Sequence, residues 1–393
     1  YITAAVVFVS RMDGTVVDWQ EITLGKRQII FSVPESFDMS TEFMVSFFLR
    51  DNGGMASLTT HQNLTRGNPG VLNLSKQVRR EGNGSGTQVP IANFLTNDLF
   101  IGESGTSYDF FQSMDDSPAS YTTYIDTAQG FLNVSTANDP LNLDYFDQVY
   151  VYDLFTNENI LIPNPTIPDY IIDKANLRSD NLESGQLMVG SSSPIANTNS
   201  VLRIAGALSQ DDGVLNKFHE MFVWNRVGNL DTPMDYHLNS NFYSYRHALH
   251  FGNYFTERKG KPLTNYLIPD ISVDYSISQN QIDLSVQGTE HIVGRVQCVD
   301  FDNLTYVWNI TFDSQKMSNV IVPELPVSIS HLVKSAYQAG NIKVEKVELI
   351  SYGSIMSYEQ YIDELVKNQA NIFEATDWYQ LVFKSRTGDF NTP

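Results

Sequence analysis

From residue 2 onward, short runs of alternating apolar and polar positions are broken by turn residues, which is the period-2 signature of half-buried strands. "ITAAVVFVS" and "TVVDWQEI" flank "RMDG", where Asp13 and Gly14 are expected to supply the positive φ angles of a tight hairpin. "RQIIFSV" and "EFMVSFFLR" read as two further strands, and "DNGG" at 51–54 as the next turn. Strands at this spacing predict a β-sandwich over residues 1–80. The glycine-rich stretch "EGNGSGTQVP", residues 81–90, marks its boundary.

Residues 81–200 form an aromatic-rich β region interrupted by Pro- and Ser-rich loops such as "IPNPTIPDY" and "VGSSSPIANTNS". Residues 201–393 carry more strands, among them "HIVGRVQCVDF" and "TYVWNITFD". Two helices are expected near the C-terminus, in "SISHLVKSAYQAG" and "SYEQYIDELVKNQA", the second capped by Ser357. The fold class read from this pattern is mainly β and multi-domain, with an N-terminal sandwich followed by larger β-rich parts.

Composition narrows the partners. Of 393 residues, 42% are apolar and 12% aromatic, enough to fill cores, while the net charge of −20 repels nucleic acid and anionic membrane surfaces. The acidity is concentrated at residues 91–200, with two Lys/Arg against fifteen Asp/Glu. The single cysteine, Cys298, forms no intramolecular disulfide and reads as a buried thiol. The chain opens in a strand and not on Met, which is read as a trimmed N-terminus with any targeting segment upstream.

Catalytic motifs are not found. "GESGTS" lacks the Gly-x-Ser-x-Gly elbow and "GNGSG" lacks the lysine and spacing of a phosphate loop. His247 and His250 in "RHALH" would share a face on a helix and bind metal, but on a strand they point oppositely, and the surroundings are strand-like. The acid pairs Asp115/Asp116 and Asp211/Asp212 leave a carboxylate-dependent glycoside hydrolase as one alternative. Clustered aromatics at Phe110, Phe111, Tyr121, Tyr124, Tyr243 and Tyr245 are the candidate binding residues, for a protein partner or stacked on sugar rings. No catalytic residue, metal or cofactor is assigned.

The order "YVWNITFD", "VPELP" and "VEKVELISYGSIMSYEQYIDEL" resembles the closing portion of surface-exposed outer-membrane lipoproteins of Bacteroidota. "AVVFVSRMDGTVVDW" is similar to the opening of small carboxypeptidase-regulatory-like or Ig-like β domains. The resemblance implies a lipid anchor upstream of Tyr1, the extracellular face of the outer membrane, and a β-barrel or other surface protein as partner. The expected function is therefore a non-enzymatic subunit working through protein–protein contacts, with glycan binding to a surface polysaccharide as the alternative.

Overall fold

The computed structural model describes side chains for residues 2–23, 28–66, 183–191, 200–211, 231–299, 306–333, 343–366 and 377–383, with gaps at Val33, Glu35, Leu208, His237, Asn239 and Asn241. Strands elsewhere between 84 and 390 are described by backbone alone. The chain is mainly β, with large multi-strand sheets and only short helices. It divides into two compact units, Tyr1–Ser75 with Asn253–Phe255 and Pro269–Pro393, and Lys76–Gly252 with Thr256–Ile268. The expected segments were 1–80, 81–200 and 201–393; the observed grouping instead joins the N-terminal strands to the C-terminal ones.

That grouping follows from one pairing. Strands β1 (Ile2–Arg11), β2 (Val16–Glu21), β3 (Phe43–Asp51) and β4 (Ala56–Leu64) form an antiparallel run in the order β4, β3, β1, β2. On its other side β4 pairs in parallel with the Trp308 strand, Tyr306–Asp313. The sheet then continues through the Cys298 strand (Val293–Val299), the Glu348 strand (Lys343–Tyr352) and Trp378–Arg386, all antiparallel. A parallel neighbour needs a long crossover, so residues far apart in sequence share one core.

Local chemistry explains the elements. In the first hairpin Gly14 has φ +97°, and the amides of Gly14 and Arg11 bond the carbonyls of Arg11 and Thr15 at 2.9 Å. Asp13 does not adopt positive φ as expected; its carboxylate accepts from Thr15 N at 2.9 Å, which fixes a type I turn followed by one left-handed glycine. A Cβ on Gly14 would also meet Asn280 and Ile321 at 3.0 and 3.1 Å.

"RQIIFSV" departs from the expectation as well, since residues 28–32 form no strand. Its alternation is satisfied by packing alone: Ile29 and Phe31 lie on the core, Ile30 stands 69% exposed, and Gln20 Nε2 holds the Ile30 carbonyl at 2.7 Å.

One face of the sheet is almost wholly apolar. Phe8, Phe48, Leu58, Trp308, Ile310, Phe312, Cys298 and Leu349 are each 0% exposed there. Trp308 Nε1 donates to Thr60 Oγ1 at 2.8 Å and Thr60 meets Ser46 Oγ at 2.8 Å, while the buried Ser10 Oγ has no hydrogen-bond partner among the described residues. Phe312 lies flat across Gly294, where an added Cβ would stand 2.2 Å from the ring, so only glycine fits. A three-stranded sheet (Ser272–Ser278, Gln281–Gln287, Asn319–Ile321) belongs to the same unit and is tied to it by Gln62 Nε2 on the Ile321 carbonyl.

The "VPELP" corner follows Asn319–Ile321. Its Glu324 amide bonds the Gly14 carbonyl at 2.9 Å while the side chain is exposed, and Pro326 leads into helix α1 (Val327–Val333). The glutamate is thus a solvated acid and the corner is architectural. Residues 334–340 of the expected helix lie outside the described residues.

In the second unit, Leu99–Ser104, Ser107–Gln112, Phe131–Ala137 and Asp153–Leu154 form one sheet, and Gly84–Ala92, Ser120–Asp126 and Ile172–Asp173 another. Thr198–Ala207 lies between His219–Gly228 and Ser244–Phe251, and Leu182–Ser191 between Met234–Asn239 and Asn265–Ile268.

Candidate functional site

Ionisable side chains gather on the second face of the large sheet in the first unit. Directly opposed residues of paired strands project to one side, so the pairings Glu348–Arg295, Arg295–Thr311 and Thr311–His61 set four side chains in a row. Two residues further along each strand, Lys346, Gln297, Asn309 and Thr59 make a second row. Arg295 Nη1 donates to Glu348 Oε2 at 3.0 Å, and Lys346 Nζ stands 2.6 Å from Glu348 Oε1. Gln297 Nε2 donates to Asn309 Oδ1 at 2.8 Å.

A short helical segment roofs the upper row. Ser357 caps α2 (Tyr358–Tyr361) as expected, its Oγ accepting from Gln360 N at 3.1 Å while Gln360 Oε1 accepts from Met356 N at 2.9 Å. The chain then widens into a π-helical turn, Ile362–Lys367, a geometry that recurs at functional sites. Tyr361 stacks on Tyr352 with centroids 5.7 Å apart, and Tyr358 lies 5.7 Å from Tyr361.

Tyr358 reaches through to the backbone. Its hydroxyl faces the carbonyls of Gln62 and Thr311 at 3.0 and 3.2 Å, where the parallel ladder between β4 and the Trp308 strand has run out. Beside it, the β3–β4 register shifts between Phe43 and Val45, and Asn63 takes φ +57°. Asn63 Oδ1 accepts from Asp313 N at 3.1 Å, so the irregularity anchors the end of the Trp308 strand. Replacing Tyr358 by Phe is expected to lower stability by about 1–2 kcal/mol, because two buried carbonyls lose their shared donor; urea denaturation reads the shift.

The electrostatics are those of a half-dry site. Burial pushes the His61 imidazole down to about 4, with Arg295 adding to the effect, and its Nδ1 has no hydrogen-bond partner among the described residues. Burial also raises the Tyr352 and Tyr358 phenols, helped by Tyr361. Burial opposes the Arg295 charge, but Tyr361, Glu348 and Tyr352 outweigh it and raise its pKa. Glu348, with a side chain 3% exposed, is the counter-ion of two cations. Changing Glu348 to Leu is expected to cost about 2 kcal/mol in a denaturant titration, less than for a fully buried pair because Arg295 keeps 32% exposure.

The cysteine and histidines named from sequence are otherwise engaged. Cys298 is fully buried in the apolar face and its thiol is pushed up to about 12 by burial. His247 and His250 share a strand and differ in exposure as period 2 requires. His247 is buried, with Nδ1 2.9 Å from the Gly260 carbonyl and Nε2 2.6 Å from the Tyr266 hydroxyl. Glu257 pairs with Arg246. Among the described residues no group of three or more His, Cys, Asp or Glu is placed to hold a metal ion.

Of the aromatic candidates, Tyr243 is 61% exposed and Tyr245 half-buried, with Lys261 Nζ 5.9 Å from its ring centre. Lys261 is itself bound to Glu183 at 2.6 Å. Phe110 and Phe111 lie on Ser107–Gln112, and Tyr121 and Tyr124 on Ser120–Asp126; their side chains fall outside the described residues, as do Asp115, Asp116 and Asp212. Sequence reasoning passed over Arg295 and Glu348. For Arg295 the signal was present, a lone charge at an alternating position in "VGRVQCV"; Glu348 is one of four charges on "KVEKVELISY" and nothing local sets it apart.

Comparison with known proteins adds no family. No family model matches the chain, and no curated protein does. Among solved structures, Escherichia coli alpha-2-macroglobulin activated by porcine elastase is similar with a TM-score of 0.15 and 7% identity, over 75% of this chain and 35% of that chain. The chain therefore spans about a third of that structure's length, and a likeness this slight carries no argument. What the fold itself defines is a mainly β protein of two compact units.

Proposed function

We propose that this chain is a non-enzymatic protein of the outer face of a bacterial outer membrane, anchored by lipid upstream and acting as a subunit of a surface assembly through protein contacts. The observation that carries the reading is a contrast between side chains. The thiol and the buried imidazoles are locked inside the fold, whereas large apolar side chains stand in solvent on the first unit. Trp19 on β2 is 39% exposed, and Ile30, whose carbonyl is held by Gln20, is 69% exposed. Such residues anchor protein interfaces. Among the described residues no helix is long and apolar enough to cross a membrane.

The test is cross-linked purification from native membranes. A barrel or surface protein that co-purifies with the wild type and is lost with Trp19→Ala/Ile30→Asp supports the reading; a chain that runs alone sinks it.

A second reading, glycan binding, is favoured by Tyr243, which is 61% exposed two positions before Tyr245, the ring that Lys261 faces. Polysaccharide retention on an affinity gel that survives Tyr243→Ala would count against it.

A further inference from the structure

The two rows on the second face of the large sheet leave an imbalance of charge. Arg295 and Lys346 share the single carboxylate of Glu348, so the cluster carries a residual positive charge although the whole chain is at −20. Both cations are reachable, with side chains 32% and 27% exposed, while the glutamate between them is shut in at 3%. In a partly desolvated setting an uncompensated cation is costly, and an incoming anion relieves that cost.

The donors are also unspent. A guanidinium has five N–H groups in a planar fork. Among the described residues Arg295 gives Nη1 to Glu348 and has the Tyr361 hydroxyl for company. Toward the lower row, Gln297 uses Nε2 on Asn309, and neither residue is fully buried. On the far side His61 keeps an enclosed Nδ1 that no described group satisfies. The stacked Tyr361 and Tyr352, both buried, close the cluster at its upper end.

We propose that this cluster is a binding site for the carboxylate of a small acidic ligand, seated on the solvent side of Glu348 against Arg295 and Lys346, with the Gln297–Asn309 pair beneath it. A planar carboxylate meets the guanidinium fork in two parallel hydrogen bonds, which a neutral hydroxyl group cannot match, and its single charge balances the one left over by Glu348, where phosphate at pH 7 brings more than one negative charge beside that glutamate. The carboxylate comes from either an acidic sugar or an acidic amino acid, and the same contacts serve both.

Isothermal titration of the full chain with D-glucuronate, N-acetylglutamate, D-glucose and inorganic phosphate at pH 7 tests the site. Binding of glucuronate or N-acetylglutamate, with glucose and phosphate at least tenfold weaker, is the expected result; whichever carboxylate binds more tightly names the source. Arg295→Lys keeps the charge without the fork and is expected to weaken binding about tenfold, and Lys346→Gln about fivefold. Both variants are checked for native melting before titration, and Asn309→Ala, at the less buried lower row, serves if either melts early. Absence of carboxylate binding, equal binding of glucose, equal binding of phosphate, or unchanged affinity in the folded variants would each overturn the proposal. None of these results depends on whether a protein partner is found for Trp19 and Ile30.

Discussion

Trp308→Ala is expected to lower the stability of the first unit by about 4 kcal/mol, the largest single-residue effect in the described core. The indole is 0% exposed on the strand that joins the N-terminal run to the rest of the sheet, so its removal leaves a cavity at the seam. Thr60 Oγ1 loses its donor as well, though Ser46 remains as a partner at 2.8 Å. Trp308→Phe separates the two contributions: it restores most of the volume without the N–H and is expected to cost about 1–2 kcal/mol. Urea titration checks both. A loss below about 1 kcal/mol for the alanine variant would mean that β4 and the Trp308 strand are not held together at this point.

Acid is expected to destabilise the same unit through His61. Its folded pKa of about 4 lies below the ordinary value of 6.5, so the unfolded chain takes up the proton first as pH falls. The contribution is fully present above pH 6.5 and is lost progressively between 6.5 and 4. Below 4 both states are protonated and the loss levels off. From pH 7 to pH 4 it amounts to about 3 kcal/mol, and from pH 7 to pH 5 to about 2 kcal/mol. The groups that face the ring, Arg295 above all, make protonation harder still and cannot compensate it. Denaturation midpoints at pH 7, 5 and 4 read the effect, and His61→Gln is expected to flatten that dependence. An unchanged slope in the variant would place the acid sensitivity elsewhere.

How much of this was legible in the residues depends on range. The first hairpin, the capped turn at Ser357 and the burial of Trp308 follow from neighbours within a few positions, and the alternation that signals strands is equally local. "RQIIFSV" misled because burial of Ile29 and Phe31 writes the same alternation whether or not a ladder forms. The joining of β4 to the Trp308 strand has no local signature at all. Neither has the charged row: Arg295 and Glu348 are 53 residues apart, and only their register makes them neighbours. The aromatic candidates of the first sheets in the second unit stay as sequence expectations.

The seam at Trp308 has a consequence for how the protein is made. Thr60 waits for a partner 248 positions later, which at ordinary translation rates is roughly 10–50 s of synthesis. Throughout that interval the first hairpins emerge from the ribosome with the β4 edge unpaired and the side of Phe8 and Phe48 open to water. A nascent chain of this design needs a holding chaperone or a slow, late collapse, and truncations that end before residue 313 are expected to aggregate rather than fold.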